Sequence, residues 1–339
     1  MRKLATIEKI IDLQPIKNSD FLERATIKGW QLVVKKGEFS TGDFCVYFEV
    51  DSILPIRPEF EFLRKNCWNS RYNGFRIRTV KLRGQISQGI AFPLSILGNR
   101  NLSVLNEGYD LTEELGIQKY VPEIPSCLSG TVEGLFPNFI PKTDEERVQN
   151  MANVLKRHDK IECYVSEKLD GTSSSYYINN VKFGVCGRNW EWKKDDKNTY
   201  WGIAEKFDIE KKLKYYGGNI AIQGEIIGPG IQKNKYNLEK IDFYVFNVFD
   251  INEKRFLNYE EMISYLAKVD LKEVPTFGNV IMNANIDYWV ELSKGYSLLN
   301  DKIIREGIVI RPVIETYDPE IRRLSFKAIN PEFLLKYHE

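Results

Sequence analysis

Lys168 closes an apolar, strand-like run and is followed by an Asp-Gly pair, in the stretch SEKLDGTS over 166–173. A lysine so placed is a candidate nucleophile, but only if its protonation is altered. With an unperturbed pKa of ~10.4, about one side chain in 2,500 is neutral at pH 7. Desolvation or a neighbouring cation lowers that pKa. A divalent metal held by carboxylates supplies such a cation and also neutralises a phosphate target. A lysine that attacks a nucleotide phosphate therefore calls for more carboxylates at strand ends, an aromatic ring for the base and a second cation for the phosphate. Alone, KLDG reads as an exposed Lys-Asp turn.

Those companions occur in order along the chain. VCGRNW (185–190) ends a strand with Arg188, and IQGEIIGPGIQKN (222–234) ends one with Glu225 before a Gly-Pro-Gly loop. FYVFNVFD (243–250) is an aromatic strand ending in Phe249-Asp250; REGIVIRP (305–312) carries Glu306-Gly307, and RLSFKAIN (323–330) carries Lys327. Other routes lack raw material. There is no G-x-x-x-x-G-K-[ST] loop, GPGIQK lacks the third glycine of a dinucleotide fingerprint, and GTSSS is not a nucleophile elbow. The only histidines are His158 and His338, and the cysteines at 45, 67, 127, 163 and 186 have no metal-ligand spacing. They read as reduced, packing thiols.

Lys168-Leu169-Asp170-Gly171, Glu225, Phe249-Asp250, Glu306-Gly307 and Lys327 resemble motifs I, III, IIIa, IV and V of the covalent nucleotidyltransferases, the ATP-dependent ligases and mRNA capping enzymes. The resemblance runs over roughly 139–330. PKTDEERVQN (141–150), GEIIGPGIQKN and the glutamate beside the lysine look like the RNA-ligase branch. Nine residues follow Asn330, too few for the barrel that DNA ligases carry after motif V, and a barrel-like segment comes first instead. The sequence thus resembles the Deinococcus/Naegleria-type RNA ligases, with an N-terminal OB module and a C-terminal adenylyltransferase.

The resemblance implies an enzyme that uses ATP with Mg²⁺ or Mn²⁺ to seal RNA 3′-OH and 5′-phosphate ends, at nicks in duplexes, in RNA repair. It implies Lys168 as nucleophile, forming lysyl-AMP. Glu167 accepts from the adenine amino group, Asp170 and Gly171 shape the turn, and Arg188 contacts the sugar or the 3′-OH strand. Asp170, Glu225 and Glu306 hold metal or its waters. Phe249 stacks on adenine, with Phe246 a second candidate, and Lys327 contacts the α-phosphate. Relatives often carry two lysines spaced K-x-K in motif V; here the first position is Ser325, with Arg322 or Arg323 available to help. A catalytically idle RNA-binding protein on the same scaffold, a DNA ligase and a guanylyltransferase are the competing readings.

The elements that must position these groups are α+β. Residues 1–110 give short strands and frequent glycines, an OB-like β-barrel; 111–138 is a proline-rich connector; 139–339 is a mixed α+β nucleotidyltransferase domain with antiparallel sheets, ATP-grasp-like. In it, strands are expected at 160–168, 172–178, 181–188, 219–227, 241–249, 305–311 and 322–329. Helices are expected near 199–214, 259–269, 286–299 and 331–338. Thr143 with Glu146 has the form of a capping box and predicts a helix running to about Arg157.

The barrel carries its own signal. Residues 64–83, RKNCWNSRYNGFRIRTVKLR, hold seven basic residues and no acidic one, with Trp68, Tyr72 and Phe75 interleaved. Arg71, Arg76 and Arg78 are candidate RNA contacts there, since basic grooves with aromatic platforms suit polynucleotides. Arg147 is a further candidate. The concentration is local, because the 339-residue chain has a formal net charge of only +1 with 28% charged residues. Hydrophobic residues make up 43%, and no run reaches the ~18–20 apolar residues of a membrane span. A cytoplasmic monomer is expected.

Overall fold

The computed structural model describes residues 3–17, 19–98, 106–120 and 132–337. Cys127, His338 and residues 121–131 of the expected connector lie outside the described residues. The chain divides into two compact units, one of Met1–Glu123 with Pro331–Glu339, the other of Ile124–Asn330.

The first unit is built on one long strand, Ala5–Pro15, at the centre of a five-stranded antiparallel sheet. Residues 5–9 pair with Phe44–Phe48, and the register slips between Ile10 and Asp12 before the strand pairs with Leu22–Ile27. Such a bulge bends and twists a strand, which lets one strand serve both halves of a curled sheet. Ile7, Phe48, Phe60 and Phe75 fill one apolar cluster, and Ile27, Trp30 and Leu32 another. The basic segment forms two hairpins. Trp68–Asn69 pairs with Gly74–Arg76, and Thr79–Leu82 pairs with Gln85–Gln88 through a turn in which Arg83 and Gly84 both have positive φ. The helix Pro331–Tyr337, opened by a proline at its first position, packs on Thr79–Leu82.

The second unit holds two large sheets and a two-stranded one, Tyr317–Asp318 with Arg322–Arg323. In order across the first lie Val132–Leu135, Trp190–Trp192, Lys182–Cys186, Thr172–Asn179, Ile220–Ile227, Asp242–Asp250 and Arg255–Phe256. One face is covered by the helices Thr199–Lys206, Ile209–Tyr216 and Tyr259–Lys268, whose Trp201, Ile203, Leu213, Met262 and Leu266 pack on Tyr176, Ile222, Phe243 and Val245. The second sheet orders Glu146–Arg147, Phe326–Ile329, Gly307–Pro312, Glu162–Lys168 and Thr276–Ile281. Its outer face, with Val165, Ile308, Ile310 and Phe326, is sealed by Val154 and Leu155 of Ala152–Arg157 and by Trp289 of Ile286–Leu292. The inner faces of the two sheets look toward each other. Arg311 from the second lies 5.8 Å from the ring of Phe246 on the first, and Arg323, from the small Tyr317–Asp318/Arg322–Arg323 hairpin, reaches Asn247 at 3.0 Å.

Several expected elements differ. The Thr143/Glu146 pattern is not a cap: Glu146–Arg147 is a short strand parallel to Phe326–Ile329, Thr143 Oγ1 meets Ser173 Oγ at 3.2 Å, and the helix spans only Ala152–Arg157. The helix expected at 199–214 is broken at Asp208, which sits in the left-handed region. The one expected at 286–299 stops at Leu292. The edge strand Thr276–Ile281 was not expected. Among the described residues the four cysteines are free, and no helix is long and apolar enough to cross a membrane.

Candidate active site

Pleating decides which side chains enter the space between the sheets. Val165, Ile308, Ile310, Phe326 and Ala328 belong to the outer core. Their alternates Ser166, Lys168, Val309 and Lys327 therefore face inward. Lys168 pairs with Gly307 and Ser166 with Val309; Val309 pairs with Lys327, and Lys327 with Arg147. The register thus lays Lys327 and Arg147, two cations, side by side one row from Lys168.

Lys168 Nζ donates to Glu306 Oε1 at 2.6 Å. Burial works against its charge, but Glu306, Glu225 and Asp170 overcome that and hold its pKa above the ordinary lysine value. The same crowding acts in reverse on Glu225, where burial, with Glu306 and Asp170 nearby, pushes the carboxyl up to about 8. Two glycines make the approach possible. A Cβ on Gly171 would lie 2.2 Å from Ile226 O, and one on Gly307 would lie 2.3 Å from Ala328 O.

Asp170 is held from the loop that follows Glu225. Its carboxylate pairs with Lys235, both side chains being 8% exposed, and its N–H donates to Tyr236 Oη at 2.7 Å. Gln232, Lys233, Asn234 and Asn237 of that loop all have positive φ. Four non-glycine residues in so rare a conformation mark a backbone fixed by its surroundings. Sequence reading missed Lys235 and Tyr236. The signal was KNKY directly after GPGIQ, a lysine and a tyrosine beyond a glycine loop.

Glu167 sits on the opposite side of the strand from Lys168. Its Oε2 accepts from the Leu298 N–H at 2.7 Å, while Oε1 is buried and has no hydrogen-bond partner. Burial holds its pKa above the usual carboxylate range. Arg188 is half exposed and pairs with Asp144 at 2.7 Å.

The structure does not bring Phe249 to Lys168. Phe249 is buried in a separate cluster with Ile140, Tyr177, Ala221 and Phe256, the last at 5.0 Å between ring centres. Phe246 is the ring beside the lysine turn. It is half-buried against the cluster of Leu169, Ile227, Tyr236 and Val274. It is the extra residue of a bulge, since Asn247 pairs with Gln223 and Val245 with Gly224. Bulges re-aim side chains, and alternation read from the sequence cannot see one.

Ser325 accepts from Arg311 Nε at 3.0 Å, and Arg311 Nη2 donates to Glu145 Oε1 at 2.8 Å. Arg323 forks onto Glu315 and lies 3.5 Å from the ring of Phe256. Glu145 and Arg311 were not singled out from the sequence. Both are surface-type residues there, and only the fold buries them.

The carboxylates suit a divalent ion. Glu306 Oε2 is buried without a hydrogen-bond partner, and Glu225 and Asp170 add negative charge around the same lysine. Among the described residues no three such groups converge into a cage. The donors therefore fit an ion that keeps most of its waters, as Mg²⁺ does.

In the first unit, Arg71 lies 5.1 Å from the Tyr72 ring and Arg78 donates to Asn66 O at 2.9 Å. Arg76 packs 3.6 Å from the Tyr120 ring and pairs with Asp51 at 3.2 Å. Trp68 is 38% exposed under Arg64 at 4.4 Å, whereas Phe75 is fully buried core.

Residues 4–94 match an OB-fold domain family and residues 161–329 the RNA ligase family. A search of curated proteins gave no match. Among solved structures, the chain is similar to a Naegleria gruberi RNA ligase, a glutamate-to-alanine mutant with ATP and Mn, at 36% identity and TM-score 0.91, covering 100% of both chains. A lysine-to-alanine mutant with ATP and Mn and a lysine-to-methionine mutant with AMP and Mn match at 36% identity and TM-score 0.90, covering 98% of each chain. A lysine ringed by carboxylates between two sheets, an OB-fold domain ahead of it and similarity over the whole length lead to one conclusion: this chain belongs to the RNA ligase family.

Proposed function

We propose that this ATP-dependent RNA ligase seals 3′-OH and 5′-phosphate ends at nicks in RNA duplexes, through AMP carried on Lys168, and that it serves RNA repair. The observation that carries the reading is Lys168 on Glu306 at 2.6 Å, with Glu225 and Asp170 around it and Lys327 and Arg147 one row away.

Nζ must first lose a proton, and Glu306 Oε1 is in hydrogen-bond contact to receive it. The nitrogen then bonds the α-phosphorus of ATP while the bond to the bridging oxygen breaks, pyrophosphate leaves with the electron pair, and the nitrogen releases its second proton to solvent to leave the P–NH link. Lys327 and Arg147 stabilise the charge that builds on the phosphate oxygens. An oxygen of an RNA 5′-phosphate next displaces Lys168 from AMP. Finally a 3′-OH attacks that 5′-phosphorus, loses its proton to solvent and expels AMP. Asp170, Glu225 and Glu306 would hold a divalent ion largely through its waters, and the bound ion would neutralise phosphate charge and lower the lysine pKa. Phe246 takes the stacking role on adenine. Arg188 contacts the sugar or the 3′-OH strand. Arg71, Arg76 and Arg78 bind the RNA backbone in the OB-fold unit.

The test is covalent labelling. ATP radiolabelled at the α-phosphate, with Mg²⁺ or Mn²⁺ and no RNA, is expected to label the wild-type polypeptide in an acid-labile bond and leave Lys168→Met unlabelled. Label from GTP instead, or persistence in the mutant, would overturn the reading.

A further inference from the structure

Arg311 is a guanidinium in the wrong place for an ordinary surface arginine. Its side chain is 2% exposed, on the inner face of the Gly307–Pro312 strand. It is held at two points, by Ser325 Oγ on Nε at 3.0 Å and by Glu145 on Nη2 at 2.8 Å. Glu145 is itself only 13% exposed, and the arginine keeps its carboxyl below the usual range despite burial. A buried pair of this kind contributes little net stability, because desolvation offsets attraction. What it does supply is a rigid fork in a fixed orientation.

That fork faces Phe246, with Cζ 5.8 Å from the ring centre. Phe246 needs a support. It is the bulged residue of its strand, so it lacks the paired neighbour that orients other strand side chains. The next residue, Asn247, is fixed by Arg323 at 3.0 Å and by donating to Gln223 Oε1 at 3.1 Å. Arginines thus approach both residues of the bulge, Arg311 from the facing sheet and Arg323 from the Tyr317–Asp318/Arg322–Arg323 hairpin.

We propose that Arg311, locked by Glu145 and Ser325, is a positioning residue that sets the Phe246 ring for the nucleobase; this rests on the reading of the site given above. Serine at 325 belongs to the device. A lysine there would put a second cation against Arg311, with Glu145 the one carboxylate bonded to that guanidinium among the described residues to offset both.

The experiment compares base-dependent with phosphate-dependent binding in the full chain. Arg311→Lys keeps a charge and loses the fork, Glu145→Gln with Arg311→Met removes both charges together, and Ser325→Ala removes one lock. Each is assayed for lysine adenylation over a range of ATP concentrations, for binding of inorganic pyrophosphate, and for quenching of 2-aminopurine ribonucleoside triphosphate, whose fluorescence falls on stacking. Arg311→Lys and the double mutant are expected to raise KM for ATP about tenfold, with a smaller change in kcat, weaker quenching and unchanged pyrophosphate affinity. Ser325→Ala should move the same way by less, and it carries the test if the others fail to fold. Unchanged KM and quenching, or equal loss of ATP and pyrophosphate affinity, would overturn the proposal. If the wild-type chain itself takes no label, the reading of the whole site fails, not the role of Arg311 alone.

Discussion

The ammonium of Lys168 touches one carboxylate and has two more nearby, and despite burial they hold its pKa above the ordinary lysine value. Glu225 pays the complementary penalty, with its carboxyl pushed up to about 8. An acid whose folded pKa is raised binds protons that the unfolded chain has released. Stability is then present at low pH and is lost as pH rises from the ordinary carboxylate value toward about 8. Thermal melts in chelator are expected to fall across that window. Glu225→Gln should flatten the fall, and added Mn²⁺ should raise the melting temperature most at its alkaline end. Superimposable wild-type and mutant profiles would refute this account of Glu225.

Strand ends set the geometry, and glycine sets how closely they approach. A methyl on Gly307 would strike Ala328 O at 2.3 Å, whereas one on Gly202, inside the helix Thr199–Lys206, meets nothing within 4 Å. Gly307→Ala should cost about 1–3 kcal/mol and depress lysine adenylation. Gly202→Ala should stabilise by about 0.5–1 kcal/mol. Denaturant titrations of the two decide it, and a neutral Gly307→Ala would mean that the strands yield. The elements were readable where local signals agreed with the fold. A capping box of Asn258 and Glu261 opens Tyr259–Lys268 near the expected helix at 259–269; Lys168 ends its strand and Glu306 directly precedes one, as expected, whereas Glu225 lies two residues inside the end of Ile220–Ile227. Thr143 and Glu146 have the same spelling as a box but pair into a sheet edge, because strand partners far along the chain outweigh a local cap. The edge strand Thr276–Ile281 hid behind polar residues and Gly278, whose φ is 88. Of the two rings named from the sequence, Phe249 lies in a separate cluster and Phe246 beside the lysine turn, a difference set by a bulge that leaves no mark in the hydrophobic pattern.

Across the molecule, the proposed adenylation site and the proposed RNA contacts lie in different units. Arg76 is tied into its own unit by Tyr120 and Asp51, so Arg71 and Arg78 make the cleaner probe. Replacing both by alanine should leave lysine labelling intact and weaken sealing of a nicked duplex. The slope of log affinity against log salt should fall by about 1 for each phosphate contact removed. A sealing rate and salt slope equal to wild type would move the RNA surface elsewhere.

The first compact unit includes Pro331–Glu339, so the chain enters the catalytic unit after Glu123 and leaves it again at Asn330. That exit is joined to the chemistry. Asn330 is fully buried, its N–H donates to Glu306 O at 2.9 Å, and its side chain donates to Arg305 O at 3.2 Å; the helix of the first unit starts at the next residue. Tension on that helix would be felt one residue from the backbone of the carboxylate that holds Lys168. A single protease cut within 121–131 would yield two fragments that stay together, because the larger would still carry a helix that belongs to the smaller. Severing after Asn330 as well would be needed to free the catalytic half. The second cut, not the first, is the one that should disturb adenylation.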